Sequence, residues 1–242
     1  AITLAPPAQA QETAQAPQAE AAPRDVVVVT AQRREETVLD VPMAVQAFSG
    51  EDLETLRVND VKDLSAVAPS FTVSQSYQGV PTYTMRGIGF NTINLSATST
   101  VGTYVDEVAY AYPIMNTGPL MDLERVEVLK GPQGTLYGRN TTAGLINFIT
   151  ARPTDTFAAA VTADVGNYQS YNVGGYMSGP LSERVQARIA VRSENSGEGW
   201  QRSASRGERL GEISKHGVRA SLAIQPGDST QIDFSATYWR NE

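Results

Sequence analysis

Few residues in this chain could react, and their types and spacing argue against catalysis. The 242 residues include no cysteine and a single histidine, His216. Thiolate nucleophiles, disulfides and thiolate metal sites are therefore excluded, and a multi-histidine centre or a histidine relay has too few members. Asp106 and Glu107 are adjacent carboxylates that could share general acid–base work. Lying between two short apolar runs in TYVDEVAY, they read instead as the turn of a hairpin. The stretch GPQGTLYG at 131–138 has glycines like a phosphate loop but lacks the GK[ST] ending, so no nucleotide site is expected. His216 reads as a surface residue at the start of a strand. No catalytic residue, metal site or cofactor is expected, and the chain reads as a non-enzyme. A net charge of −7 gives no footprint for nucleic acid. What remains is chemistry of holding: Arg86 in MRGIG, then Glu124, Arg125, Glu127, Lys130 and Arg139.

These charges need elements to position them. VPMAVQAFS at 41–49 reads as a first strand, and Ser49 with Asp52 fits a capping box for a helix over about 50–57. Asn59 can cap a second helix, which must end near Ala68 because Pro69 follows. FTVSQ, YTMRG, TYVDEV, RVEVLK and GLINFIT supply further strands. In RVEVLK, alternation puts Val126 and Val128 on one face, with Glu127 and Lys130 expected on the other. Upstream, residues 11–24 are rich in Ala, Gln, Pro and Glu and should not order on their own. Val26 to Val29 then form an isolated β-branched run, a strand without an evident partner. At the start, Ala8-Gln9-Ala10 fits the small-residue end of a secretory signal, with cleavage expected after Ala10.

From Phe157 the pattern changes. Ala159, Val161, Ala163 and Val165 alternate with Thr162 and Asp164. Tyr171, Val173, Gly175 and Met177 alternate with Asn172, Gly174 and Ser178. Val185, Ala187, Ile189 and Val191 face away from Gln186, Arg188 and Arg192, and two further segments present Val218, Ala220, Leu222 and Ile224, then Ile232, Phe234, Ala236 and Tyr238. Five segments near the length of a membrane β-strand result. GPLSE and PGDS turn tightly, GNYQS is short, and about 194–215 is a long polar loop. Short inner turns and longer outer loops fit an outer-membrane barrel entered from the periplasm at Phe157. A soluble sandwich with one wet face would alternate in the same way.

Four segments in fixed order decide between these readings: DVVVVTAQRRE at 25–35, YTMRGIG at 83–89, VGTYVDEVAY at 101–110 and MDLERVEVLKGPQGTLYGRNTTAGLINFIT at 121–150. Over about residues 25–152 they closely resemble TonB-dependent outer-membrane receptors, siderophore receptors among them. The resemblance implies an α+β plug domain, a mixed sheet with short helices, followed by the first antiparallel strands of an incomplete transmembrane β-barrel. It divides the chain into the end of a signal peptide (1–10), a disordered linker (11–24), a TonB box (25–36), the plug (37–152) and about five barrel strands (153–242), an N-terminal fragment of a longer receptor. It implies that Val26, Val27, Val28, Val29 and Thr30 pair with TonB, driven through ExbB and ExbD, from an exposed and unpaired strand. It implies ionic contacts from Arg86, Glu127 and Arg139 to the barrel wall, with partners mostly beyond Glu242. Ligand contacts are expected on the outward loops at Gln75, Tyr77, Phe90, Asn91, Asn94, Tyr112 and Asn116. The implied role is energised uptake across the bacterial outer membrane of a scarce small molecule, a ferric siderophore first, with cobalamin, haem or a glycan as alternatives. An isolated plug that binds without transporting is the other reading.

Overall fold

The computed structural model describes residues 28–30, 33–34, 36–38, 40–75, 80–91, 94 and 97–241. The signal and linker expectations, together with Val26, Val27 and Tyr77, lie outside the described residues.

The first unit is built from β1 (Val28–Val29), β2 (Glu36–Thr37), β3 (Ala44–Ser49), α1 (Gly50–Thr55), α2 (Leu64–Val67), β4 (Phe71–Gln75), β5 (Pro81–Met85), β6 (Ile88–Gly89), β7 (Val101–Val105), β8 (Val108–Ala109), β9 (Leu123–Lys130), α3 (Gly134–Tyr137) and β10 (Gly144–Thr150). Its central sheet has the order β3-β9-β10-β7-β8, with β10 parallel to β7 and the other pairs antiparallel. One face carries Val126, Val128, Ile146 and Phe148 against α1, α2 and the small β4-β5-β6 sheet. The opposite face carries Leu129, Leu145 and Tyr104 against Val29, Val41 and Tyr137. This is the alternation expected of a strand buried on both sides. Lys130 corrects the sequence reading. It stands an odd number of residues from Glu127, so it falls with Val126 and Val128, and its Nζ donates to Gln46 Oε1 at 3.0 Å.

Local chemistry sets the element ends. Ser49 and Asp52 form the expected capping box at the start of α1. The second helix is shorter than expected and begins only at Leu64. The Asp63 carboxylate accepts the backbone N–H groups of Asn59 and Asp60 at 2.9 Å each, closing 59–63 as a turn. Asp106 and Glu107, with φ of 46° and 68°, make the hairpin turn between β7 and β8.

The second unit is an antiparallel array of β11 (Ala158–Gly166), β12 (Ser170–Ser182), β13 (Val185–Ser196), β16 (Ile213–Gly227) and β17 (Thr230–Asn241), in that order. A two-stranded ribbon, β14 (Gln201–Arg202) with β15 (Arg209–Leu210), rises from the loop between β13 and β16. The five long strands have 9, 13, 12, 15 and 12 residues, mostly longer than expected. Registers such as Met177↔Ile189, Val191↔Val218 and Leu222↔Phe234 stack apolar residues on one face. That face is open, with Val161 80% and Val165 88% exposed. Arg188, Lys215 and Arg219 on the other face are buried against the first unit. A water-soluble sheet shows the reverse, because exposed apolar area is unfavourable and buried charge needs pairing.

Candidate functional site

Two arrangements hold the molecule together where motion would matter. The first is a seat for Thr30. Glu127 and Asn147 are cross-strand partners on β9 and β10, so both polar side chains emerge on an otherwise apolar face. Glu127 is fully buried, and a buried carboxylate is tolerated only when its oxygens are satisfied. Arg125 Nε donates to Oε1 at 2.9 Å and Asn147 Nδ2 to Oε2 at 3.4 Å. Thr30 supplies the rest: its N–H donates to Oε1 at 2.7 Å and its hydroxyl at 3.2 Å. Tyr137 closes the seat from above, its hydroxyl donating to Thr30 O at 3.2 Å. The Tyr104 hydroxyl donates in turn to Tyr137 O, with the two rings edge to face at 5.0 Å. Arg33 lies 5.4 Å from the Tyr137 ring centroid. Burial, then the nearby Glu127 charge, pushes the Tyr137 hydroxyl up to about 12.

This seat changes the sequence picture of the N-terminal segment. Val28 and Val29 pair antiparallel with Thr37 and Glu36, and Val29 is fully buried. The described end of the valine run is thus docked, not exposed and unpaired. Apolar β-branched side chains gain by covering Leu129 and Leu145, and an open strand edge is unfavourable.

The second arrangement is the seam between the two units. Asp122 takes a two-pronged pair from Arg188, with Nε to Oδ2 at 2.7 Å, and both side chains are 7% exposed. The Arg188 guanidinium also lies 3.8 Å from the Tyr176 ring centroid. Lys215 pairs with Asp60, and Arg192 donates to Asn59 Oδ1. Arg219 Nη1 donates to Met121 O at 3.0 Å, and Asn241 Nδ2 to Thr117 O at 3.2 Å. Two glycines allow the close approach. A Cβ at Gly118 would lie 2.8 Å from the Trp239 ring, and one at Gly217 would lie 2.7 Å from Met121 Cε.

Glu127 makes its hydrogen bonds within the Thr30 seat, to Thr30, Arg125 and Asn147, and none to the strand array among the described residues. Arg86 and Arg139 are exposed and make no ion pair among the described residues. The seam contacts within the chain are instead made to other first-unit residues, by Arg188, Arg192, Lys215 and Arg219. The signal was present: Arg188 and Arg192 sit on the polar parity of β13, opposite Ile189 and Val191. What sequence could not give was which first-unit residues, here 59–60 and 117–122, they would meet. Of the loop residues, Gln75, Phe90, Asn91, Asn94 and Tyr112 are exposed. Asn116 is buried in a 3-10 turn (Pro113–Asn116) and lines a narrow gap beside Tyr83, so it is not displayed as expected.

Residues 37–145 match the family described as TonB-dependent Receptor Plug Domain. The vitamin B12 transporter BtuB of Photobacterium profundum is 26% identical over 173 residues, 71% of this chain and 28% of that protein. The ferripyoverdine receptor of Pseudomonas aeruginosa is 28% identical over 66% of this chain and 19% of its own length. The crystal structure of the ferric yersiniabactin uptake receptor of Yersinia pestis shares the fold, with a TM-score of 0.74 at 24% identity over 81% of this chain and 31% of that one. The chain thus spans less than a third of each of these proteins. Residues 37–145 are thus a TonB-dependent receptor plug domain, and the chain around them is similar to TonB-dependent receptors in sequence and shares their fold.

Proposed function

We propose that the chain is the plug-bearing, N-terminal part of an energised importer of the bacterial outer membrane. The observation that carries this reading is the inverted strand array: apolar residues face outward in β11–β13, β16 and β17, while charged residues face inward onto the plug. Outward apolar residues suit lipid, and inward polar ones suit a plug that must be held yet remain displaceable. A free binding module would have no use for the exposed apolar face, which counts against that alternative.

The mechanism follows from the Thr30 seat. With Val29 buried and Thr30 held, a partner strand cannot add along Val26–Thr30 until the segment undocks. Ligand arriving from outside is read as shifting the plug so that Thr30 leaves Glu127. TonB then pairs with the freed strand, and force supplied through ExbB and ExbD displaces part of the plug. A ferric siderophore is the first substrate proposed, with vitamin B12 as the alternative suggested by the name of one relative.

Val27→Pro in the full-length receptor is the test, since it removes a backbone donor from the pairing strand. Uptake should be abolished while ligand binding persists. Normal uptake by this variant would refute the pairing role.

A further inference from the structure

The β14–β15 ribbon carries an arrangement that the importer reading does not use. Arg202 and Arg209 are direct cross-strand partners, so their side chains leave the same face of the ribbon. Like charges directly opposite one another destabilise a strand pair. Arg209 is partly balanced by Glu198, with Nη1 to Oε2 at 3.2 Å, whereas Arg202 has no ion-pair partner among the described residues. Trp200 lies at the start of the ribbon, just before β14 and two residues ahead of Arg202. Its indole lies over Gly211, where a Cβ would come 3.1 Å from Nε1, and Trp200 is 64% exposed. Gly199 permits the close approach at the ribbon's base, since a Cβ there would sit 2.2 Å from Leu210 O. The tip is closed by Ser203 N–H donating to Glu208 O at 2.9 Å. The result is a ribbon that carries one exposed indole beside two arginines at directly opposed positions.

We infer that Trp200, Arg202 and Arg209 form a ligand-recognition face for an anion carrying a planar conjugated group. This deepens the importer reading and rests on it, because the ribbon belongs to the long loop that this reading puts outside the cell. A shared anionic oxygen converts the Arg202–Arg209 repulsion into two charge-assisted hydrogen bonds. The indole face takes the planar group by stacking. A neutral corrinoid or a cationic chelate would gain nothing from the arginine pair, so the face selects by charge.

The test uses the full-length receptor and three probes: an anionic ferric tris-catecholate, a cationic ferric tris-hydroxamate and neutral cyanocobalamin. Binding is read by quenching of the Trp200 fluorescence, defined as the part lost in Trp200→Phe. The tris-catecholate should quench it, more weakly as salt is raised. Arg202→Ala with Arg209→Ala should weaken that binding by about ten- to a hundredfold, the range for losing hydrogen bonds to a charged group. Arg202→Lys should recover only part, because an ammonium lacks the planar fork. Equal affinity of the double variant and the parent overturns the inference, as does failure of the tris-catecholate to bind. Binding of cyanocobalamin or the hydroxamate alone also overturns it, but leaves the importer reading intact. That reading fails separately, through TonB-independent uptake in the Val27→Pro experiment.

Discussion

Glu127 shows how one buried carboxylate can make a docked segment both specific and releasable. Thr30 gives it two of its donors, so undocking leaves a buried charge with Arg125 and Asn147 alone. Removing the carboxylate removes the acceptor of the Thr30 N–H and hydroxyl. Glu127→Ala should destabilise the docked state by about 3 kcal/mol, the lower end for breaking a buried charged contact. Spin labels on Val28→Cys should then report a mobile segment without any ligand; an unchanged, immobile spectrum would contradict the seat. Tyr137 adds a pH dependence whose sign can be worked out. Its hydroxyl donates to Thr30 O and titrates near 12 in the folded protein against about 10 in an unfolded chain. A raised value means that the stabilisation is complete below about pH 10 and is lost as pH rises towards 12. The same label should therefore loosen across that window, and Tyr137→Phe should abolish the pH step.

Strands of the array depend on which face meets lipid. Val191 and Ser221 lie on neighbouring strands β13 and β16 but face opposite ways, Val191 outward and Ser221 inward. Arginine at Val191 should cost about 2–4 kcal/mol if that position lies near the bilayer midplane. Glutamate at Ser221 should cost far less, because the inner face is polar and Arg188 stands directly opposite it. Urea unfolding of the full receptor in lipid compares the two, and equal costs would mean that the outer face does not contact hydrocarbon. This division was legible in sequence because β-strand alternation is strictly local: the same parity that set Ile189 and Val191 against Arg188 and Arg192 appears in the structure. The capping box at Ser49 and the Asp106–Glu107 turn were legible for the same reason. The shortened α2 was not, because it depends on the Asp63 carboxylate turning back to Asn59 and Asp60 in competition with helix. The docking of Val29 was hidden too, since it needs Leu129, Tyr137 and Leu145, about a hundred residues away in sequence, to form its surface.

At the scale of the whole molecule, the plug is fastened to the wall unevenly. Segments 59–60 and 117–122 are tied to β13, β16 and β17 by Arg188, Arg192, Lys215, Arg219 and Asn241. Against β11 and β12 the seam opens into a crevice of about 700 Å³ between α1 and a wall that includes Ala160, Thr162 and Gly174. Small side chains there leave room, so closure relies on the tied side. The Asp122–Arg188 pair bears much of that load, because both groups are nearly fully buried and a pair left with one partner is penalised by about 3–5 kcal/mol. Arg188→Asp puts two carboxylates face to face and should loosen the plug, raising single-channel conductance in planar bilayers and sensitivity to a bulky antibiotic. Asp122→Arg combined with Arg188→Asp restores opposite charges across the seam. It should recover most of the closure, though not all, since the stacking of Arg188 on Tyr176 is lost. Such recovery is the signature of direct coupling in a double-mutant cycle. If the double variant leaks as much as Arg188→Asp, the pair does not fasten the plug, and closure must come from the remaining ties of Arg192, Lys215, Arg219 and Asn241 and from the close packing of Gly118 on Trp239 and Gly217 on Met121.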